Sequence, residues 1–225
     1  ESDYKNPLFL EEGRVKILSL SKAHQINVET LCAHFLINGS ILEDTKKGEQ
    51  IKNYFFEVIK QAINIGIRFI SIPLMGKMSL RYKKVNQKIE NLLKEIILKF
   101  KISILLESDI SNIKTFLFIK KLKSEKIGML YDLGNATKFN FSFKDDFPLV
   151  EKSVKEIHIK DFSLSLNRSV RLGEGDTNFE ETFHIISEHN WKGMMLLETP
   201  IFDDWQKEAQ KNYIHTTKYL KKFLY

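Results

Sequence analysis

Short apolar runs alternate with longer amphipathic stretches along nearly the whole chain, and this alternation restricts the fold more than any other feature. The runs at 26–33 (INVETLCA), 68–74 (RFISIPL), 102–107 (ISILLE), 127–132 (IGMLYD), 156–161 (EIHIKD) and 191–198 (WKGMMLLE) read as strands. Pro73 is expected to close the second of them. Ile51, Tyr54, Phe55, Val58, Ile59, Ala62 and Ile63 fall at the spacing of one apolar helix face. Val85, Ile89, Leu92, Leu93, Ile96, Ile97 and Phe100 form a second such stripe. Helices are also expected near 112–123, 144–153, 179–189 and 205–223, with a long loop before residue 179.

Strands separated by helices imply a parallel sheet, because a parallel partner needs a crossover connection. An open doubly wound sheet and a (β/α)8 barrel then compete. Doubly wound nucleotide binders carry a glycine-rich turn after the first strand. Here Gly66, Gly76 and Gly128 are isolated. A barrel instead collects functional side chains at the C-terminal ends of its strands, which is the pattern of this chain. No proline-, glycine- or serine-rich linker divides the sequence, so residues 1–225 read as one domain.

Four successive strands place a metal-capable side chain near that end: Glu107, Asp132, His158 and Glu198. Alternation in EIHIKD puts Ile157 and Ile159 on one face, and Glu156, His158 and Lys160 on the other. Neighbouring strands lie about 4.8 Å apart, so four consecutive ends can converge on one ion. Taken singly, each acid also fits a helix N-cap or turn former, and the histidine a hydrogen-bonded core residue. Three carboxylates and one imidazole make a hard, oxygen-rich set suited to Mn, Mg, Co or Fe as divalent ions, or to Zn. Such an ion holds adjacent sugar oxygens and stabilises an enediolate, while two carboxylates flanking a carbon remove and return a proton. The loop 172–176 (LGEGD) follows Arg168 and Arg171. Its glycines, Gly173 and Gly175, suit close approach of backbone to an anion that the arginines grip. The alternative is a loop-to-helix turn capped by Asp176 or Thr177.

The stretches NPLFLEEGR, ETLCAHF, ILLESD, YDLGNA, EIHIKD, RLGEGDTNF and WKGMMLLET, taken in order, resemble the xylose-isomerase-like TIM-barrel superfamily, in its sugar-phosphate isomerase/epimerase branch. The resemblance implies one divalent metal on Glu107, Asp132, His158 and Glu198, with Glu107 and Glu198 as the acid–base pair. It also implies substrate contacts from Asn135, Lys160 and Asp161, and a polar contribution from His34. The family's ligands sit on its last four strands, so 26–33 counts as the third, and the barrel lacks its first two strands in this chain. Glu1 would fall at the end of the second strand. The expectation is a longer gene product, or a partner covering the gap left by two open edges; a homo-oligomer is among the partners considered.

The expected activity is therefore isomerisation or epimerisation of a sugar or sugar phosphate through a metal-bound enediolate. Two alternatives stand beside it. One is a DNA-repair nuclease of the endonuclease IV type, whose three-zinc cluster demands many histidines; this chain has six, and two of them, His34 and His158, lie near strand ends. The other is a non-catalytic module derived from a barrel. The formal charge of +6 comes from 35 basic and 29 acidic residues. Lysines interleave with acids along every helix-like stretch, which reads as a solvated surface and argues against a nucleic-acid partner. No apolar run approaches the ~20 residues of a membrane span. A lone cysteine, Cys32, excludes an internal disulfide and points to a reducing, cytoplasmic setting.

Overall fold

The computed structural model describes residues 6–200 and 204–223. Its principal elements, in chain order, are α1 (Glu11–His24), β1 (Thr30–Cys32), α2 (Lys46–Asn64), β2 (Phe69–Leu74), α3 (Lys83–Lys99), β3 (Ser103–Ser108), α4 (Asn112–Leu122), β4 (Ile127–Asp132), α5 (Leu133–Lys138), α6 (Phe143–Val150), β5 (Val154–Ile159), β6 (Asp161–Ser163), β7 (Arg168–Val170), α7 (Phe179–Glu188), β8 (Met194–Leu197) and α8 (Trp205–Phe223). All six expected strands are present, and a short hairpin adds two more. The strand end expected at Glu1 lies outside the described residues.

The chain packs as two compact units, one of residues 1–110 and 119–128, the other of 111–118 and 129–225. In the first, β1, β2 and β3 are parallel neighbours in that order. The helices α2 and α3 bury Phe55, Val58, Ile59 and Ala62, and Ile89, Leu92, Leu93 and Ile96 respectively. These are the positions the 3.6-residue period selects. Thr45 opens α2 by accepting a hydrogen bond from the Gly48 amide at 3.1 Å.

Two expectations need correction in this unit. The first strand is three residues long, not eight, and Ile26 and Val28 lie outside it with their side chains exposed. Pro73 lies inside β2, opposite Glu107, and does not close it. β1 pairs only with Phe69, Ile70 and Ser71, so no β1 ladder bond is asked of the missing proline amide. The helix α1 has no counterpart in the periodicity reading, because none of its side chains is buried and no apolar face is set apart.

In the second unit β4 from Met129 onward, β5 and β8 are parallel neighbours. Every residue of β4 is buried, which matches its continuous apolar run. The long loop after β5 contains the antiparallel hairpin β6–β7. The helix expected at 144–153 is α6, eight residues long and capped by Ser142. Its Phe147 is fully buried and stacks on Phe143 with 4.6 Å between ring centroids.

Asp146, in the first turn of α6, is also buried and accepts a hydrogen bond from Asn112 Nδ2 at 3.2 Å. Burial pushes its carboxyl above the ordinary aspartate value; the Asn112 bond pulls against this and the charge of Asp145 adds to it. A carboxyl raised on folding costs stability once the unfolded chain ionises there, so this cost grows as pH rises from the ordinary aspartate value to the higher folded one and is level above it. Asp146→Asn is therefore expected to raise Tm at pH 7 and to leave it unchanged at pH 3. A gain of 1 kcal/mol would read as about 2–4 °C. Equal melting temperatures at both pH values would contradict it.

Candidate metal centre

β4, β5 and β8 end side by side, and their register decides which side chains meet. Asp132, the last residue of β4, stands opposite His158 of β5, and His158 stands opposite Leu196 of β8. Glu198 follows the end of β8, its amide donating to Ile159 O at 3.1 Å. Asp132, His158 and Glu198 each offer one ligand atom, and these atoms lie within 4.8 Å of one another. Asp132 and His158 are buried, while Glu198 is half-buried.

His158 Nδ1 lies 2.5 Å from Glu198 Oε2 and 3.9 Å from Asp132 Oδ2. Its Nε2 lies 2.8 Å from Oε1 of Glu156. Lys160 Nζ donates to Glu198 Oε1 at 2.7 Å and to Asp132 Oδ2 at 3.2 Å. The lysine stem crosses the start of α5 where Gly134 has no side chain; a Cβ there would lie 2.7 Å from Lys160 Cγ.

These charges hold one another. Burial alone would lower the pKa of His158, but the hydrogen bonds to Glu156 and Glu198, with the charges of Glu198 and Asp132, outweigh it and raise the pKa to about 10. Burial would raise Glu198, yet His158 and Lys160 bring it down to about 2. Asp132 is pushed up by burial and by Glu198, against the pull of Lys160 and His158.

Asp132 serves two purposes. Its Oδ1 caps α5 by accepting the Asn135 amide at 2.7 Å, so the helix-cap reading holds for one oxygen. Its Oδ2 faces His158 and Lys160. Glu107, expected to join this set, is the penultimate residue of β3 in the first unit and is buried there. His34, also of the first unit, is exposed in the 3-10 helix His34–Asn38.

The glycine loop has an occupant of its own. Asp161, 1% exposed, accepts the amides of Gly173 at 2.8 Å, Gly175 at 2.9 Å, Thr177 at 3.1 Å and Phe162 at 2.9 Å. The anion these glycine amides hold is thus the protein's own carboxylate. Arg171 Nε donates to Glu208 of α8 at 2.7 Å. Arg168 is exposed on β7. The helix cap is Asn178, neither Asp176 nor Thr177; Asp176 accepts the Leu164 amide instead, at 2.7 Å. Alternation along β5 is the sequence signal that sets Glu156 beside His158, and by itself it does not mark Glu156 as part of the site.

Gly175→Ala tests this loop. The added Cβ would lie 2.3 Å from Asp161 Oδ1 and 2.8 Å from Phe162 O. Overpacking of that kind costs roughly 1–3 kcal/mol, so the urea midpoint is expected to fall; an unchanged midpoint would show that the clamp is loose.

The fold and the site can now be set beside known proteins. The family described as xylose isomerase-like TIM barrel matches residues 3–223. No curated protein matches the chain. Among solved structures it is similar to a xylose isomerase domain protein from Planctomyces limnophilus, at 18% identity and a TM-score of 0.74, over 95% of this chain and 85% of that one. It is similar to the D-psicose 3-epimerase of Clostridium cellulolyticum H10, solved with D-tagatose, at 10% identity and a TM-score of 0.73, over 95% and 86%. The IOLI protein, solved with a zinc atom, gives 13% identity and a TM-score of 0.72, over 92% and 82%. Identities this low speak for the fold alone, and the family match extends over nearly every residue. The chain belongs to the xylose isomerase-like TIM-barrel family.

Proposed function

We propose that the chain is a divalent-metal-dependent isomerase or epimerase of a sugar or sugar phosphate. The observation that carries this reading is the meeting of Asp132, His158 and Glu198 at the ends of three adjacent parallel strands. The donor set fits a divalent cation: two carboxylates and an imidazole, with a lysine ammonium already drawn between the two acids. The zinc atom of the similar IOLI protein and the ketose in the similar psicose epimerase support the same reading.

A bound ion supplies Lewis-acid polarisation of neighbouring carbonyl and hydroxyl oxygens. The side chains do the rest. Glu198, held ionised by His158 and Lys160, takes a proton from the carbon beside the carbonyl, giving an enediolate of the substrate. Glu107 is assigned, from the family resemblance, as the fourth ligand and the second carboxylate of the pair. Lys160 and Asn135 face the substrate, and Asp161 fixes the loop of Gly173 and Gly175. Arg168, exposed beside the glycine loop, is assigned to the end of the substrate far from the reacting carbon, while Arg171 already donates to Glu208. A three-zinc nuclease finds less support. His184 and His215 lie on α7 and α8, and His189 just after α7.

Exchange tests the chemistry directly. Incubated with Mn²⁺ in deuterated water, the chain is expected to label a carbon of a ketose or ketose phosphate, and Glu198→Gln to slow labelling by about 10²-fold or more. No label across a panel of ketoses and their phosphates would sink the proposal.

Lysine removal tests the cation site. Lys160→Met takes away a positive charge beside two of the ligands. Coulombic repulsion of an incoming ion falls accordingly, so calorimetry should show Mn²⁺ binding roughly 10-fold tighter. Equal or weaker binding would speak against a shared site.

A further inference from the structure

Glu156 is fully buried, at 0% exposure, on the same face of β5 as His158. A buried carboxylate is costly unless its charge is met. Strand packing does not ask for one here, since apart from His158 the other buried positions of β5, Val154, Ile157 and Ile159, are apolar. What the acid touches explains it. Its Oε1 stands 2.8 Å from Nε2 of His158, on the far side of the ring from Asp132 and Glu198.

An imidazole binds a metal through one nitrogen only, and the partner of the other nitrogen decides which. Glu156 takes the Nε2–H as an acceptor. The ring plane is then fixed by β5 itself, two residues upstream, and Nδ1 is left directed at the two other ligand groups. We infer that Glu156 is a positioning residue, which aims Nδ1 of His158 at the cation by accepting the hydrogen on Nε2. It acts through His158 and not on the ion or the substrate. The inference rests on the metal reading above for its consequence, though the orientation it describes exists without the ion.

The experiment compares the wild-type chain with Glu156→Leu and Glu156→Gln. Calorimetry with Mn²⁺, and the visible spectrum with Co²⁺, read the metal; proton NMR of the metal-free protein reads the downfield imidazole resonances, assigned to His158 by their loss in His158→Asn and to Nε2 or Nδ1 by proton–nitrogen correlation within the ring. Loss of an outer carboxylate typically weakens metal binding by about 10–100-fold. That loss is expected for Glu156→Leu, with a changed Co²⁺ spectrum and no downfield Nε2 proton. Glu156→Gln keeps an acceptor oxygen of the same reach, so a smaller loss is expected. It carries the test alone should the leucine variant not fold. Wild-type affinity and an unchanged Co²⁺ spectrum in both variants would overturn the inference. If the wild type itself binds no ion, the metal reading fails, and the NMR arm still decides: an Nε2 proton resonance that survives in Glu156→Leu overturns the positioning role, and its loss upholds it.

Discussion

Carboxylates packed side by side repel one another, and the second unit gathers Asp132, Glu156 and Glu198 around a single imidazole. Two like charges 4 Å apart are worth about 4 kcal/mol at an effective dielectric of 20. Such a cluster is tenable only with positive charge among its members. His158 and Lys160 provide it, one between the acids and one bridging two of them. The geometry comes from the register of parallel strands: Asp132 opposite His158 fixes the separation before any side chain chooses a rotamer. The meeting of these charges is therefore a property of how β4, β5 and β8 are aligned.

Adjacent residues then divide two tasks. Lys160 reaches toward the acids, and Asp161 reaches into the glycine loop 12 to 16 residues further on. Each depends on a glycine for room. Gly134 leaves space for the lysine stem, and Gly175 lets the loop backbone close on the aspartate. The dipeptide links the strand that bears the histidine to the segment that precedes α7.

Much of this was readable from the chain. The apolar run of β4 ending in Asp132, the MMLL run just before Glu198, and the alternation of EIHIKD are all local patterns, and local patterns follow from burial. The apolar faces of α2 and α3 were equally plain. What stayed hidden lacks such a pattern. The side chains of α1 are all solvated to some degree, so no period marks it. The hairpin β6–β7 is short and carries polar residues. The role of Asp161 rests on partners far along the chain, and GEGD reads equally as an anion loop or a turn until the carboxylate that fills it is seen.

The filled loop has a kinetic side. Ordering a flexible segment at the moment of encounter subtracts from affinity and slows capture. Here Asp161 has already ordered the segment as part of folding, by taking three of its backbone amides. The entropy of shaping this loop is thus surrendered on folding, and no later event has to supply it.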